Sequence, residues 1–176
     1  DNLPEERIPR NAPALFNLGI KDLRVLFHDG RIAVGDTRPG GIRTPLDEDM
    51  TAGFESLLSA QTMFPVLSPD EMAGHYTESD VARAVRQGVL TGQGGAWDII
   101  ARRVADIPAY AQMFRDVYPH VQGPDDIAFT DISNAIAVFM EDEWRSDNAP
   151  FDAVLRGQGA LSAAGRFGDG PVLWPR

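Results

Sequence analysis

Residues 130–144 read T-D-I-S-N-A-I-A-V-F-M-E-D-E-W, and this stretch indicates the fold class. Thr130 is a residue type that caps the N-terminus of a helix. The apolar residues that follow recur at helical spacing, which predicts one apolar face directed at a core. Three acids, residues 141–143, extend the stretch toward Trp144. We therefore predict an amphipathic helix whose buried stripe is formed by Ile132, Ile136, Phe139 and Met140.

Further helices are expected on both sides of this one. Thr44-Pro45-Leu46-Asp47 and Ser68-Pro69-Asp70-Glu71 each combine a cap, a proline and an acid in the order of a helix start. Periodic apolar residues predict helices over about 46–61, 77–87, 96–106, 108–118 and 151–155, the last closed by Gly157, with another beginning at Ser162.

The rest of the chain completes an all-α prediction. Residues 1–45 are rich in turn signals and read as a loop-rich lead-in, whereas residues 46–176 read as helical. No alternation of strand type and no internal repeat is visible. A length of 176 residues suits a single domain or a fragment of one.

Composition excludes several functions. The 26 acidic residues exceed the 16 basic ones, giving a net charge of −10, so we expect no nucleic-acid partner. No stretch approaches the ~20 apolar residues of a membrane span. The cysteine count is zero, which excludes disulfides, a thiolate nucleophile and a C-x-x-C-H haem-attachment motif within this chain. The start at Asp1, without Met or a signal peptide, suggests a mature or excised chain.

Two polar residues have alternative interpretations. Gln61 follows Leu57 and Leu58 at helical spacing, so it either bonds a backbone group at the helix end or projects into a polar pocket. Glu71 either completes a capping box with Ser68 or serves as an acid–base group. The three histidines are too scattered to indicate a metal site from their spacing.

Four stretches together resemble the bacterial di-haem cytochrome c peroxidase family, including its methylamine-utilisation relatives. Residues 10–17 look like the family's R-N-x-P-x-x-x-N, and residues 27–31, F-H-D-G-R, look like its F-W-D-G-R. Residues 60–72, A-Q-T-M-F-P-V-L-S-P-D-E-M, match Q-x-x-x-P…N-P-x-E-M, and residues 132–165 resemble the helices that lead to the second haem motif. The likeness implies a cytochrome c peroxidase-like helical fold.

The resemblance also implies roles for individual residues. Glu71 would be the catalytic group that moves a proton between the two peroxide oxygens. Gln61 would line the same pocket as a second catalytic-site residue, with Pro65 shaping it and Met72 beside Glu71. Asn11 matches a residue that contributes to a calcium site in the family. His28 stands where the family has a tryptophan between the two haems, so it cannot supply that indole.

The haem-attachment motifs that this chain lacks have defined positions in the family. In the family one C-x-x-C-H precedes the first matched stretch and a second follows the last, so this chain resembles the middle segment. The resemblance implies a periplasmic protein with haem c that reduces hydrogen peroxide with electrons from a small cytochrome, and a homodimer is among the assemblies it allows. We expect the segment to be inactive alone. The alternative is a haem-free binding or scaffold module that has lost redox activity.

Overall fold

The computed structural model describes residues 11–12, 14–20, 23–35, 41–46, 48–75 and 79–160. Within these residues the chain is mainly helical. The helices are α1 (Leu57–Gln61), α2 (Asp80–Arg86), α3 (Ala96–Ala105), α4 (Pro108–Val117), α5 (Phe129–Glu143) and α6 (Pro150–Leu155). The strands are β1 (Val25–Leu26), β2 (Ile32–Val34) and β3 (Ile42–Arg43).

The three strands show that the all-α prediction holds only in part, since short strands lie within the loop-rich residues 1–45. They form one antiparallel sheet in the order β1-β2-β3, with Leu26 opposite Ile32 and Val34 opposite Ile42. Each strand has only two or three residues, too few for an alternating pattern to be visible in the sequence. The hairpin between β1 and β2 turns through Phe27 and Gly30, whose φ values are 65° and 66°.

The helix predicted over 46–61 is much shorter than expected. Thr44 Oγ1 accepts a hydrogen bond from the Leu46 amide, but only a 3₁₀ turn, Glu48–Met50, follows. Gly53, with φ of 89°, then redirects the chain. Ser56 caps α1 by accepting a bond from the Ser59 amide at 3.1 Å. The start signal at Thr44 therefore initiates a turn, and the helix begins at a second cap that the pattern did not identify.

Three of the central helices agree closely with the prediction. The structure has α3 and α4 within one residue of the expected bounds, and α6 ends before Gly157, which has the expected left-handed φ of 71°. In α2, Ser79 caps the helix by accepting a bond from the Ala82 amide. The predicted start at Thr77 and the helix expected from Ser162 lie outside the described residues.

The extent of α5 agrees with the prediction, but its buried face agrees only in part, since Ile132 packs against a core cluster. Ile136 is 44% exposed and Phe139 is 58% exposed, whereas Ile132 and Met140 are half-buried. The buried residues of the helix are Phe129, Asp131, Ser133, Asn134 and Ala137. Small and polar residues can face inward here because their polar atoms find partners. Thr130 is not the cap: Ala128 occupies that position, and its amide donates to Asp131 Oδ2 at 2.9 Å.

The main core joins the sheet to α1, α3 and α5. Its centre is an aromatic group in which Trp97 stacks on Phe129 at 4.9 Å between ring centroids, and Phe54 meets both rings edge-on. Ile32 and Ile42 from the sheet and Leu57 from α1 belong to the same cluster. Burial of this apolar surface fixes α1, and with it the segment that follows Gln61.

Candidate functional site

The segment from Gln61 to Met72 leaves the end of α1 and folds into a tight double turn. Phe64 donates its amide to Gln61 O at 3.3 Å, and Pro65 opens a 3₁₀ helix, Pro65–Leu67. A proline suits this position because the first helical amides have no partner within the helix. The Met72 amide then returns to Pro65 O at 3.0 Å. The structure thereby brings Pro65 and Met72 together and presents Glu71 on one turn.

The same turn determines how Ser68 and Glu71 are arranged. No helix begins at Ser68: its amide donates to Phe64 O and Pro65 O, and the next helix starts at Asp80. The Glu71 amide donates to Ser68 O at 3.1 Å, and its side chain is exposed. Residues 69–72 are all exposed, so no apolar face was available to hold a helix here. The predicted helix start at Ser68 is wrong.

The tip of the β1–β2 hairpin lies beside this turn. Phe27 meets Phe64 edge-on, with ring centroids 5.6 Å apart and planes at 82°. Arg31 lies over both rings, with its Cζ atom 4.9 Å from the Phe27 centroid and 5.8 Å from the Phe64 centroid. His28 is exposed at the tip. Two stretches separated by about thirty residues in the sequence, 27–31 and 61–72, are therefore adjacent in the fold.

Arg31 and Asp29 form an ion pair at this junction. Arg31 bonds the Asp29 carboxylate through Nε at 3.0 and 3.1 Å and through Nη2 at 2.8 Å. These side-chain bonds, opposed only by slight desolvation, lower the pKa of Asp29 to about 2. In turn the Asp29 bond raises the pKa of Arg31, and the Glu71 charge adds to that effect. Arg31 therefore remains cationic and paired with Asp29.

The other predicted site residues occupy distinct places. Leu57 and Leu58 are buried as expected, but Gln61 is only half-buried at the end of their helix. Met72 is 66% exposed. Asn11 is exposed, in an irregular stretch whose neighbours Arg10 and Pro13 lie outside the described residues. The structure thus groups Pro65, Glu71 and Met72 with the hairpin tip, and it leaves Asn11 in a separate part of the chain.

Arg31 is the residue to which sequence reasoning gave no role. Arg31 is the last residue of the F-H-D-G-R motif. Nothing in that motif indicates that its guanidinium stacks on Phe64, which lies thirty-three positions later in the sequence. The available signal was the Asp29-Gly30-Arg31 spacing, which allows a short turn to close with an ion pair. Its consequence for Glu71 depends on the tertiary contact between two segments.

Concave surface lies elsewhere in the described part of the chain. A cleft of about 580 Å³ is lined by residues from 17–20 and 138–147, and another of about 350 Å³ by Trp97 and several aspartates. A third, of about 320 Å³, lies between the sheet and α1. Gln61 and Glu71 line none of these three. Glu71 therefore lies on an open surface of this chain.

A second polar group surrounds the N-terminus of α5. His120 Nε2 lies 3.1 Å from Asp131 Oδ1, and the Tyr118 hydroxyl donates to Asp131 O at 3.3 Å. Burial, with the charges of Asp131 and Glu55, raises the pKa of Tyr118. Because the second oxygen of Asp131 binds the Ala128 amide, this carboxylate serves the helix terminus. Among the residues described, no group of three His, Asp or Glu side chains has the geometry of a metal site.

Comparison with known proteins identifies the class. The family model for di-haem cytochrome c peroxidase matches residues 2–160. The chain therefore belongs to the di-haem cytochrome c peroxidase family, a family of peroxidase-like oxidoreductases that carry haem c. Searches of curated proteins and of solved structures gave no significant match. In the part of the chain that the structure describes, no helix is long and apolar enough to cross a membrane.

The family's cofactor can be tested against the side chains present. Haem c is attached through two cysteine thioethers, and this chain has no cysteine. Of the three histidines, His120 is bonded to Asp131, and His28 and His75 are exposed. The residues of this chain therefore do not fit covalent haem attachment.

Proposed function

We propose that this chain supplies the proton-transfer carboxylate of a hydrogen-peroxide-reducing di-haem peroxidase. The supporting observation is the junction between the 27–31 hairpin and the 61–72 turn, where Glu71 is exposed beside the Arg31 cation. An accessible carboxylate can accept a proton from one peroxide oxygen and return it to the other. Gln61 and Pro65 belong to the same segment and would shape the surface on which peroxide binds.

The proposal assigns only proton movement to this chain. Cleavage of the peroxide O–O bond consumes electrons, which neither Glu71 nor any other side chain considered above can supply. In the family that redox chemistry belongs to the haem iron. Since the chain has no attachment thiol, we propose that it does not turn over peroxide alone. The electron donor would be a small cytochrome and the location the periplasm, as is typical of the family.

The reading frame that encodes residues 1–176 provides the first test. We expect it to contain C-x-x-C-H on both sides of this segment, and the full product to show two covalent haems in a pyridine haemochrome spectrum. The isolated chain, assayed with hydrogen peroxide and a reduced cytochrome, should show no turnover. A frame without either motif, or turnover by the isolated chain, would contradict the proposal.

The alternative function is a haem-free binding or scaffold module. Two observations favour it: the chain has no cysteine, and His28 stands where the family has tryptophan. A haem-free frame whose product binds no haem and reduces no peroxide would establish this alternative. A homodimer, which the resemblance allows, is tested separately by sedimentation of the isolated chain, where a single species of 19.2 kDa would argue against it.

Calcium binding at Asn11 is a further proposal that rests on the resemblance. An amide oxygen on an exposed segment is a suitable calcium ligand, although calcium needs six to eight oxygens and one residue is not a site. Isothermal titration of calcium into the native chain and into N11A is the direct test. Binding heat that is seen with the native chain and lost with N11A would support the site. Equal heats for the two proteins, or no heat with either, would rule it out.

A further inference from the structure

Arg31 is fixed on one edge by its own hairpin. The Asp29 carboxylate contacts Nε and Nη2, and Asp29 Oδ1 also accepts the Arg31 amide at 3.2 Å. A guanidinium held by two parallel contacts loses little further freedom when it meets another group. The side chain is 36% exposed, so part of its charge is removed from bulk water.

The flat face of the same guanidinium lies on the 61–72 segment. Phe64, the second ring beneath Arg31, directly precedes Pro65, and its carbonyl accepts the amides of Leu67 and Ser68. Displacement of Phe64 would therefore disturb the first turn of the segment. Cation–π contacts at partly exposed sites are favourable, so the contact with Phe64 favours one position of this short turn.

The second turn of the segment carries Glu71. Its amide bonds Ser68 O and the next amide, that of Met72, bonds Pro65 O, so Glu71 moves with the turn that Phe64 begins. The Glu71 carboxylate also interacts electrostatically with the Arg31 guanidinium. Arg31 is thus connected to the Glu71 turn through its contact with Phe64, and its own pKa responds to the Glu71 charge.

We propose that Arg31 is a positioning residue for Glu71: clamped by Asp29 and stacked on Phe27 and Phe64, it holds a fixed positive charge beside the Glu71 turn. This inference rests on the proposed function, in which Glu71 must be ionised to accept a proton. The ion pair of Arg31 is with Asp29, so the cation lies near the Glu71 turn while the Glu71 side chain stays exposed. Lysine at position 31 would keep the charge but not the planar, two-point contact.

The test is a double-mutant cycle on the native chain. Variants R31Q, E71Q and the double variant are compared by hydrogen exchange of the Met72 and Ala73 amides, which close the turn. At low salt, we expect the protection factor of the double variant to differ by about 1.5-fold to fivefold from the product of the two single-variant effects, as for other partly exposed charge pairs. In 1 M NaCl, where the screening length is ~3 Å, that coupling should largely vanish.

The conservative variant separates charge from packing. R31K should keep most of the coupling to Glu71 while reducing protection of the turn, because the cation remains and the stacking is weakened. It also serves if R31Q does not fold. Multiplicative effects of R31Q and E71Q, or coupling that is unchanged in 1 M salt, would overturn the inference. Coupling that is present while E71Q keeps full peroxide turnover in the haem-bearing protein would refute the proposed function and leave the positioning intact.

Discussion

Thr62 donates a hydrogen bond of 2.7 Å to Ser133 Oγ, and this bond joins the end of α1 to the inward face of α5. Ser133 in turn donates to Phe129 O at 3.0 Å, so both hydroxyls are satisfied although Ser133 is fully buried. Small side chains at this crossing allow the two helices to approach closely. Because Thr62 follows Gln61 directly, the same contact anchors the segment that carries Glu71.

The orientation of α5 can be tested with a matched pair of phenylalanines. Phe129 is 6% exposed and packs on Trp97, whereas Phe139 is 58% exposed. We expect F129A to lower the free energy of unfolding by about 3–5 kcal/mol, as for other buried aromatic truncations. F139A should cost less than about 1 kcal/mol. Urea unfolding of both variants is the measurement, and equal losses would mean that the inward face is assigned wrongly.

Asn134 provides a second test of the buried polar face. It is 4% exposed, accepts the Glu55 amide at 3.1 Å and donates to Gly53 O at 3.0 Å. These two hydrogen bonds join residues that are 79 and 81 positions apart in the sequence. N134A removes both and should lower the free energy of unfolding by about 1–3 kcal/mol. The exposed Q93A is the control and should change stability by less than about 0.5 kcal/mol. If N134A behaves like Q93A in denaturant unfolding, these bonds contribute nothing.

The Asp29–Arg31 pair predicts a pH response with a definite sign. Because the pKa of Asp29 is lowered from 3.8 to about 2, the pair contributes to stability fully above pH 3.8 and is lost as the pH falls through about 2. Carboxyl NMR of the native chain should therefore show Asp29 titrating near 2. R31Q should move that midpoint up toward 3.8, and R103Q, which removes the partner of Asp80 instead, should leave it unchanged. A midpoint near 3.8 in the native chain would show that the pair is not formed in solution.

The sequence predicted the parts of the fold that depend on local periodicity. The stretches that became α3, α4 and α6 are strongly patterned or flanked by Pro or Gly, and their bounds were close. The sheet was missed because each strand has only two or three residues, too few for an alternating pattern to be recognised. The inward face of α5 was misassigned in part, because Ile136 and Phe139 lie on the outside. Only the partners of Ser133 and Asn134 explain why polar residues face inward.

The candidate site, like the fold, could be predicted from the sequence only in part. Resemblance identified Pro65, Glu71 and Met72 as members of one segment, and the backbone bond from Met72 to Pro65 is the contact that closes it. The alternative of a Ser68 capping box could not be decided from spacing, since it depended on whether a helix formed there. Arg31 was outside the reach of any local rule because its effect arises where two distant turns meet.

The central claim is that Glu71 transfers the proton in peroxide reduction. Its most direct test is hydrogen-peroxide turnover by the haem-bearing product of the full reading frame, measured for the native protein, E71Q and the neighbouring exposed variant D70N. Loss of a positioned acid–base group should lower turnover about 10²–10⁴-fold in E71Q. D70N should keep the native rate within about twofold, since Asp70 has no part in the proposed proton transfer. Native-like turnover by E71Q would contradict the account.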